Sequence, residues 1–140
     1  MKYFFLLVII IGLNSCDKEE SITPVINSGL PGVWNLVEFS GGEAGLQCNV
    51  AGGEITWTFS NENDLTFSSS PDVNDLCTHN TYGENRTVKF SVLDHNDKKF
   101  LLIDNEEIGQ LTIQNEKFIL DQNFTSNSGW SDGYNMTFVK

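Results

Sequence analysis

Apolar and polar residues alternate along eight short stretches of the chain after residue 29. The alternation is clearest at 54–60, where Ile55, Trp57 and Phe59 share one face and two threonines share the other. A period of two residues is typical of half-buried β-strands. No helical period follows residue 16, so the pattern predicts an all-β domain. The other seven predicted strands are 30–39, 65–67, 82–93, 100–104, 108–114, 118–120 and 134–138.

The connections between these strands are of two kinds. Short polar turns follow the second, fourth and sixth strands, and longer loops follow the first, third and seventh. Alternate connections of an up-and-down barrel lie at the same end, so this order predicts one end closed by turns and one end carrying loops. We call these the turn end and the loop end. The turns are 61–64, 94–97 and 115–116, and the loops are 40–53, 68–81 and 125–133.

Eight antiparallel strands with one apolar face each can remove their edges by closing into a barrel. A two-sheet sandwich is the alternative, but its crossovers need longer connections than the three short turns provide. We therefore predict an eight-stranded antiparallel up-and-down barrel over 30–140. The strand at 100–104 is apolar on both faces, and for it we expect Phe100 and Leu102 to point inward. The other expected interior residues are Trp34, Leu36, Ile55, Trp57, Phe59, Phe67, Phe90, Leu120, Tyr134, Met136 and Phe138.

The interior of such a barrel is either a ligand cavity or a filled core, because large side chains can just fill eight strands. Trp130 lies in the 125–133 loop, where it is either a plug over the core or an exposed anchor for a partner. If a cavity exists, it opens at the loop end. The candidate ligand-binding residues are then Ile55, Trp57, Phe67, Phe90, Leu120, Trp130 and Tyr134.

The first fifteen residues have the pattern of an export signal. Lys2 provides a positive charge, 3–12 form a short apolar run, and Leu13-Asn14-Ser15-Cys16 ends it. This tetrapeptide resembles a bacterial lipobox, which implies cleavage before Cys16 and lipid attachment to that cysteine. The alternative is an ordinary signal peptide in which Cys16 has no role. Residues 1–15 are thus expected to be a lipoprotein signal peptide, and 16–29 a lipidated, flexible tether.

Asp17-Lys18-Glu19-Glu20 directly follows the candidate lipidation site. The run resembles a signal that carries lipoproteins of some Gram-negative bacteria to the cell surface, and its other interpretation is a solvated tether. We expect an exported protein held on the outer membrane through Cys16, facing the periplasm or the cell surface.

Charge and cysteine content add two expectations. The formal net charge is −11 over 140 residues, which repels nucleic acid. The two cysteines beyond Cys16 are Cys48 and Cys77, which fall in two loops of the same end. An exported chain meets oxidising conditions, so we expect these two to form a disulfide.

Motifs that carry catalysis do not occur in this sequence. His79 and His95 fall at opposite ends of the predicted barrel, so they cannot share a metal or a proton. The sequence lacks His-Glu-x-x-His, Cys-x-x-Cys, activated-serine and phosphate-binding motifs. We expect no enzyme activity, no cofactor and no metal site.

Several strand motifs resemble those of small lipocalin-like lipoproteins of Gram-negative bacteria. They are Gly32-x-Trp34, Ile55-Thr56-Trp57-Thr58-Phe59, Gly109-x-Leu111-x-Ile113 and the ending 132–140. The likeness covers most of 30–140 and implies the barrel fold. It also implies a basic residue over the first tryptophan, for which Lys140 is the candidate.

Two functions remain open at this stage. The resemblance implies a binding protein for a small apolar ligand at or inside the loop end. The alternative is a lipoprotein, such as an inhibitor or an assembly component, that binds a protein partner through the loops of a filled barrel. The volume left inside the barrel distinguishes them.

Overall fold

The computed structural model describes residues 21–23, 29–71, 73, 85–127, 129 and 132–140. Every strand pairing in this part of the chain is antiparallel. These residues contain no helix that is long and apolar enough to cross a bilayer. The ten strands are β1 (Ser21–Thr23), β2 (Gly32–Gly41), β3 (Leu46–Asn49), β4 (Ile55–Phe59), β5 (Asp64–Ser69), β6 (Arg86–His95), β7 (Lys98–Ile103), β8 (Glu106–Gln114), β9 (Lys117–Asp121) and β10 (Tyr134–Val139).

Eight of these strands close into a barrel, which confirms the predicted fold. Neighbours pair in chain order from β4 to β10, and β2 lies between β4 and β10. The closing pair, β2 with β10, extends from Asn35 opposite Val139 to Gly41 opposite Tyr134. A closed sheet of this kind leaves the eight strands without long free edges.

The tight turns have the backbone that their sequences predict. Asn96 and Asp97 join β6 to β7 with φ angles of 52° and 63°. Asp104 and Asn105 join β7 to β8 with 50° and 68°. Two successive residues with positive φ form the turn whose twist matches a hairpin, and asparagine and aspartate tolerate that conformation best after glycine.

The connection after the first barrel strand is more ordered than predicted. Residues 40–53 were expected to be loop, but 46–49 form β3, which pairs with the second half of β2 from Glu38 opposite Asn49 to Gly41 opposite Leu46. The first half of β2 pairs with β4. β3 therefore extends the wall of the barrel beyond the start of β4.

The tether also contains a strand. β1 pairs with β6, with Ser21 opposite Asp94 and Thr23 opposite Val92. β5 pairs with β6 only at Arg86–Lys89, so β1 takes the edge of β6 beyond the turn between β4 and β5. The chain therefore reaches the barrel near the turn end, before Gly29.

A bulge in β2 changes which residues face the interior. Phe138 lies opposite Leu36 but Thr137 lies opposite Glu38, so Val37 is an extra residue in the ladder. As a result Phe39 is fully buried, although unbroken alternation from Trp34 would place it outside.

The inward face of β7 is the opposite of the predicted one. Leu101 and Ile103 belong to the barrel core, whereas Leu102 is only partly buried and Phe100 faces the outer wall. Phe100 lies opposite Leu93 of β6, and both are buried although neither belongs to the core cluster. The outer wall is therefore covered at this point.

Candidate functional site

The interior of the barrel is packed with aromatic rings at mid-height. The Trp57 ring centroid lies 4.7 Å from that of Phe138 and 5.1 Å from that of Phe67. Phe118 and Phe138 stack at 4.2 Å, with 15° between their planes. The Trp57–Phe67 and Phe118–Phe138 contacts join directly paired residues of neighbouring strands, whereas the Trp57–Phe138 contact joins β4 to β10 inside the barrel, past β2.

Toward the loop end, the interior contains a second layer of packed side chains. Phe39 and Tyr134 stack with centroids 4.5 Å apart. Cys48, opposite Phe39 on β3, is 9% exposed and packs in the same core. Cys48 is disulfide-bonded, and its partner lies outside the described residues, so the pairing with Cys77 stays a prediction.

The turn end is closed by Leu30 and Trp34, both fully buried. The Trp34 indole Nε1 donates a hydrogen bond of 2.6 Å to the Leu30 carbonyl oxygen. The Lys140 Nζ lies 4.8 Å from the centroid of the Trp34 ring, which is the contact that the resemblance implied.

The candidate ligand-binding residues on the strands all belong to this packed interior. Tyr134 is partly buried and packs against the core, and five others are at most 3% exposed. Trp130 lies outside the described residues. The five are Ile55, Trp57, Phe67, Phe90 and Leu120.

Catalytic or metal-binding groups do not converge in the described residues. No set of three His, Cys, Asp or Glu side chains there could hold a metal ion. His95 lies at the end of β6, where its Nε2 is 2.6 Å from Asn96 Nδ2. His79 and Cys16 lie outside the described residues.

A pocket of about 340 Å³ lies on the outer wall of the barrel, and we call it the outer-wall pocket. One side is the hairpin of β6 and β7, and the other is the connection between β9 and β10. Phe100 is a buried part of its floor, and Phe124, 46% exposed, is also part of its lining. The pocket is lined by His95, Asn96, Lys98, Phe100, Phe124, Thr125, Ser126 and Gly129.

The connection between β9 and β10 is fixed against the wall by a buried serine. The Ser126 backbone N–H donates a 2.6 Å hydrogen bond to Glu107 Oε1, and the Ser126 hydroxyl donates to Glu107 Oε2 at 2.5 Å. At the start of the connection, Asp121 Oδ1 accepts from the Asn123 backbone N–H at 2.9 Å. Phe124, between these two anchors, is therefore positioned by hydrogen bonds on both sides.

Strand tilt explains how a turn-end hairpin meets a loop-end connection. Phe100 lies opposite Gln110, and Gln110 lies opposite Asp121, so β9 ends level with the start of β7. Barrel strands tilt by about 35–45°, which offsets neighbouring ends in this way. The sequence did not lead us to predict the pocket. The one feature of the sequence that pointed to it is the apolar Phe100 among outward-facing residues.

A comparison of the chain with protein-family models, characterised proteins and solved structures finds no match.

Proposed function

We propose that this chain is a non-catalytic envelope lipoprotein, anchored through Cys16, that binds a protein partner with the loop end of a filled barrel. The observation that carries the proposal is the aromatic packing of the interior. Trp57 of β4 lies inside the barrel near Phe118 of β9 and against Phe138 of β10, and the stacked Phe39 and Tyr134 pack in or against the same core. Binding groups are then left to the outside of the barrel.

A small apolar ligand inside the barrel has less support from this packing. Ligand pockets have volumes of about 300–1,000 Å³. Opening such a volume here would separate rings whose contacts contribute about 0.5–1.5 kcal/mol each beyond the burial of their area. The filled barrel therefore favours the second of the two functions that the sequence left open.

The loop end offers a rigid platform with exposed polar side chains. The turn after β2 carries Glu43 at its exposed tip, and Gln47 and Asn49 project from β3. β3 is held by its ladder with β2 and by the disulfide of Cys48. Loops on a rigid scaffold are the usual location of recognition surfaces. The net charge of −11 favours a partner with a basic surface.

Site-specific photo-crosslinking in the producing cell tests the proposal. A photoreactive amino acid replaces Glu43 or Gln47 at the loop end, and Glu62 or Glu116, equally exposed, at the turn end. We expect one protein adduct from the loop-end positions and none from the turn-end positions. Adducts from both ends alike, or from neither, contradict the proposed interface.

A fluorescent fatty-acid panel tests the filled interior separately. We expect that no fatty acid of the panel binds and shifts the Trp57 or Phe118 signals in NMR spectra. Saturable binding that moves those signals would support the ligand carrier instead.

A further inference from the structure

We propose that the outer-wall pocket binds a small organic carboxylate with a flat aromatic body, which lies against the exposed Phe124 above the buried Phe100 and places its carboxylate against Lys98. This site is separate from the loop-end interface proposed above, and it depends on neither the lipid anchor nor the filled interior.

The size and walls of the pocket fit such a ligand. Its volume of about 340 Å³ is at the lower limit of the usual ligand-pocket range of about 300–1,000 Å³. Phe100 is 2% exposed at the floor, and Phe124 is one of two large apolar side chains that are clearly exposed among the described residues. A flat ring laid against the accessible face of Phe124 gains apolar burial and aromatic contact there, and the buried Phe100 keeps the base of the pocket apolar.

The charge of the lining favours an anion. Lys98 is the one lysine or arginine among the lining residues, and its Nζ lies 5.8 Å from the centroid of the Phe124 ring. A cation that is already over an aromatic face can pair with a carboxylate at the edge of the site. Asn96 also lines the pocket. Its side-chain nitrogen lies 2.6 Å from His95 Nε2 and carries two N–H groups, so one of them can donate a hydrogen bond to the same carboxylate.

Among the described residues, the acidic groups near the pocket are either hydrogen-bonded or outside its lining. Both carboxylate oxygens of Glu107 accept hydrogen bonds from Ser126. Asp94 Oδ1 accepts a 2.7 Å hydrogen bond from Lys99 Nζ. Asp97 is exposed in the turn between β6 and β7 and is not part of the lining. The overall negative charge is screened beyond about 8 Å at physiological salt, so the contact with Lys98 dominates at the site.

The pocket is also rigid enough to recognise one shape. Thr125 Oγ1 accepts a 3.1 Å hydrogen bond from the Gly129 backbone N–H, and the Thr125 backbone N–H donates to the Gly129 carbonyl oxygen at 3.3 Å. With Ser126 held by Glu107, the backbone on both sides of Phe124 has fixed partners. A preformed wall reduces the ordering cost of binding.

NMR titration of the purified, ¹⁵N-labelled full chain tests this site. The probes are naphthalene-2-carboxylate and its neutral isostere naphthalene-2-carboxamide. The readout is the change in chemical shift of the Phe124, Ser126 and Phe100 amides. A probe that only partitions into detergent would not change these shifts. We expect saturable shifts at these amides, with the carboxylate binding about tenfold more tightly than the amide, as for one charge-assisted hydrogen bond.

Matched variants separate the charge from the walls. Lys98→Gln should remove the preference for the carboxylate, whereas Lys117→Gln, an exposed lysine of β9 outside the pocket, should keep it. Phe124→Ala should weaken both probes. Equal affinity for the two probes, or equal effects of the two lysine variants, overturns the proposal. Probe binding that appears only in the Trp130→Ala variant also overturns the proposal. In that case the Trp130 side chain would be what fills the pocket in the parent protein.

Discussion

Lys140 and Trp34 join the last and first barrel strands at the turn end. The indole is held on two sides, by the Leu30 carbonyl oxygen at 2.6 Å and by the Lys140 ammonium group 4.8 Å from the ring centroid. The Lys140 side chain crosses Gly32, where an added Cβ would lie 3.5 Å from Lys140 Cε. Gly32 also has a φ of 133°, a conformation that other residues rarely adopt.

Lys140→Met removes the charge and keeps most of the apolar stem. We expect the free energy of unfolding to fall by about 0.5–1 kcal/mol, as for a cation–π contact near the surface. Urea denaturation of the variant and the parent measures this change. Lys117→Met is the control, since it removes an equally exposed lysine that lies over no ring among the described contacts. Equal losses in the two variants would show that general charge effects explain the result.

For individual residues, the alternation of apolar and polar positions predicts which side chains are buried only where the pairing of neighbouring strands is regular. Ile55, Trp57 and Phe59 are buried as their spacing predicts. Phe39 is buried because Val37 forms a bulge, and the residue type at position 37 does not predict a bulge. A bulge arises from the fit between two strands, so it is decided by β10 as much as by β2.

Among the elements, β3 links the loop end to the barrel wall. It carries Cys48, which is buried, disulfide-bonded and opposite Phe39. Only Cys16 and Cys77 are available as partners in this sequence. We propose Cys77, because Cys16 is the proposed site of lipid attachment.

Replacing Cys48 and Cys77 together by serine should lower the free energy of unfolding by roughly 3–4 kcal/mol, as for a closed loop of about 30 residues. Reduction of the parent protein should cause a similar loss, and reduction of the double variant should cause none. Mass spectrometry without reductant should find the two cysteine peptides linked. Two free thiols in protein taken from the envelope would contradict the pairing.

Turns and strands differ in how far the sequence predicts them. Asn96-Asp97 and Asp104-Asn105 form tight turns because these residues accept positive φ locally. The faces of β7 could not be assigned, since Phe100, Leu101, Leu102 and Ile103 are all apolar. What decides them is the pairing of Val92 with Leu101 and the covering of Phe100 by a segment more than twenty residues later.

For the whole molecule, the proposed anchor determines where the barrel works. Cys16→Ala should leave the protein unprocessed or soluble, because the acceptor of the lipid is lost. Membrane fractionation and the mass of the N-terminal peptide measure the outcome. Ser15→Ala keeps a small residue before the cysteine, so its processing should match the parent. Unchanged membrane attachment of the Cys16 variant would rule out lipidation at this residue.

The barrel was predictable from the sequence, and the outer-wall pocket was not. Strand count, turn chemistry and the absence of helical periods together define a closed sheet. The pocket depends on the registers that bring Phe100, Gln110 and Asp121 into one row. Turn geometry sets the register of a hairpin, but the β7–β8 ladder also shifts between Leu101 and Leu102, and the alternation of residues does not predict that shift.

With the lipid anchor proposed at Cys16, the short strand β1 would limit the distance of the barrel from the membrane. A free tether from Cys16 to Gly29 could extend to about 45 Å. Because Ser21 is already paired with Asp94, the length between the anchor and the barrel is at most about 17 Å. A barrel held this closely cannot search the space far from the bilayer. The barrel then diffuses only within a thin layer at the membrane surface. It should therefore meet a partner embedded in the same membrane far more often than a partner that diffuses freely.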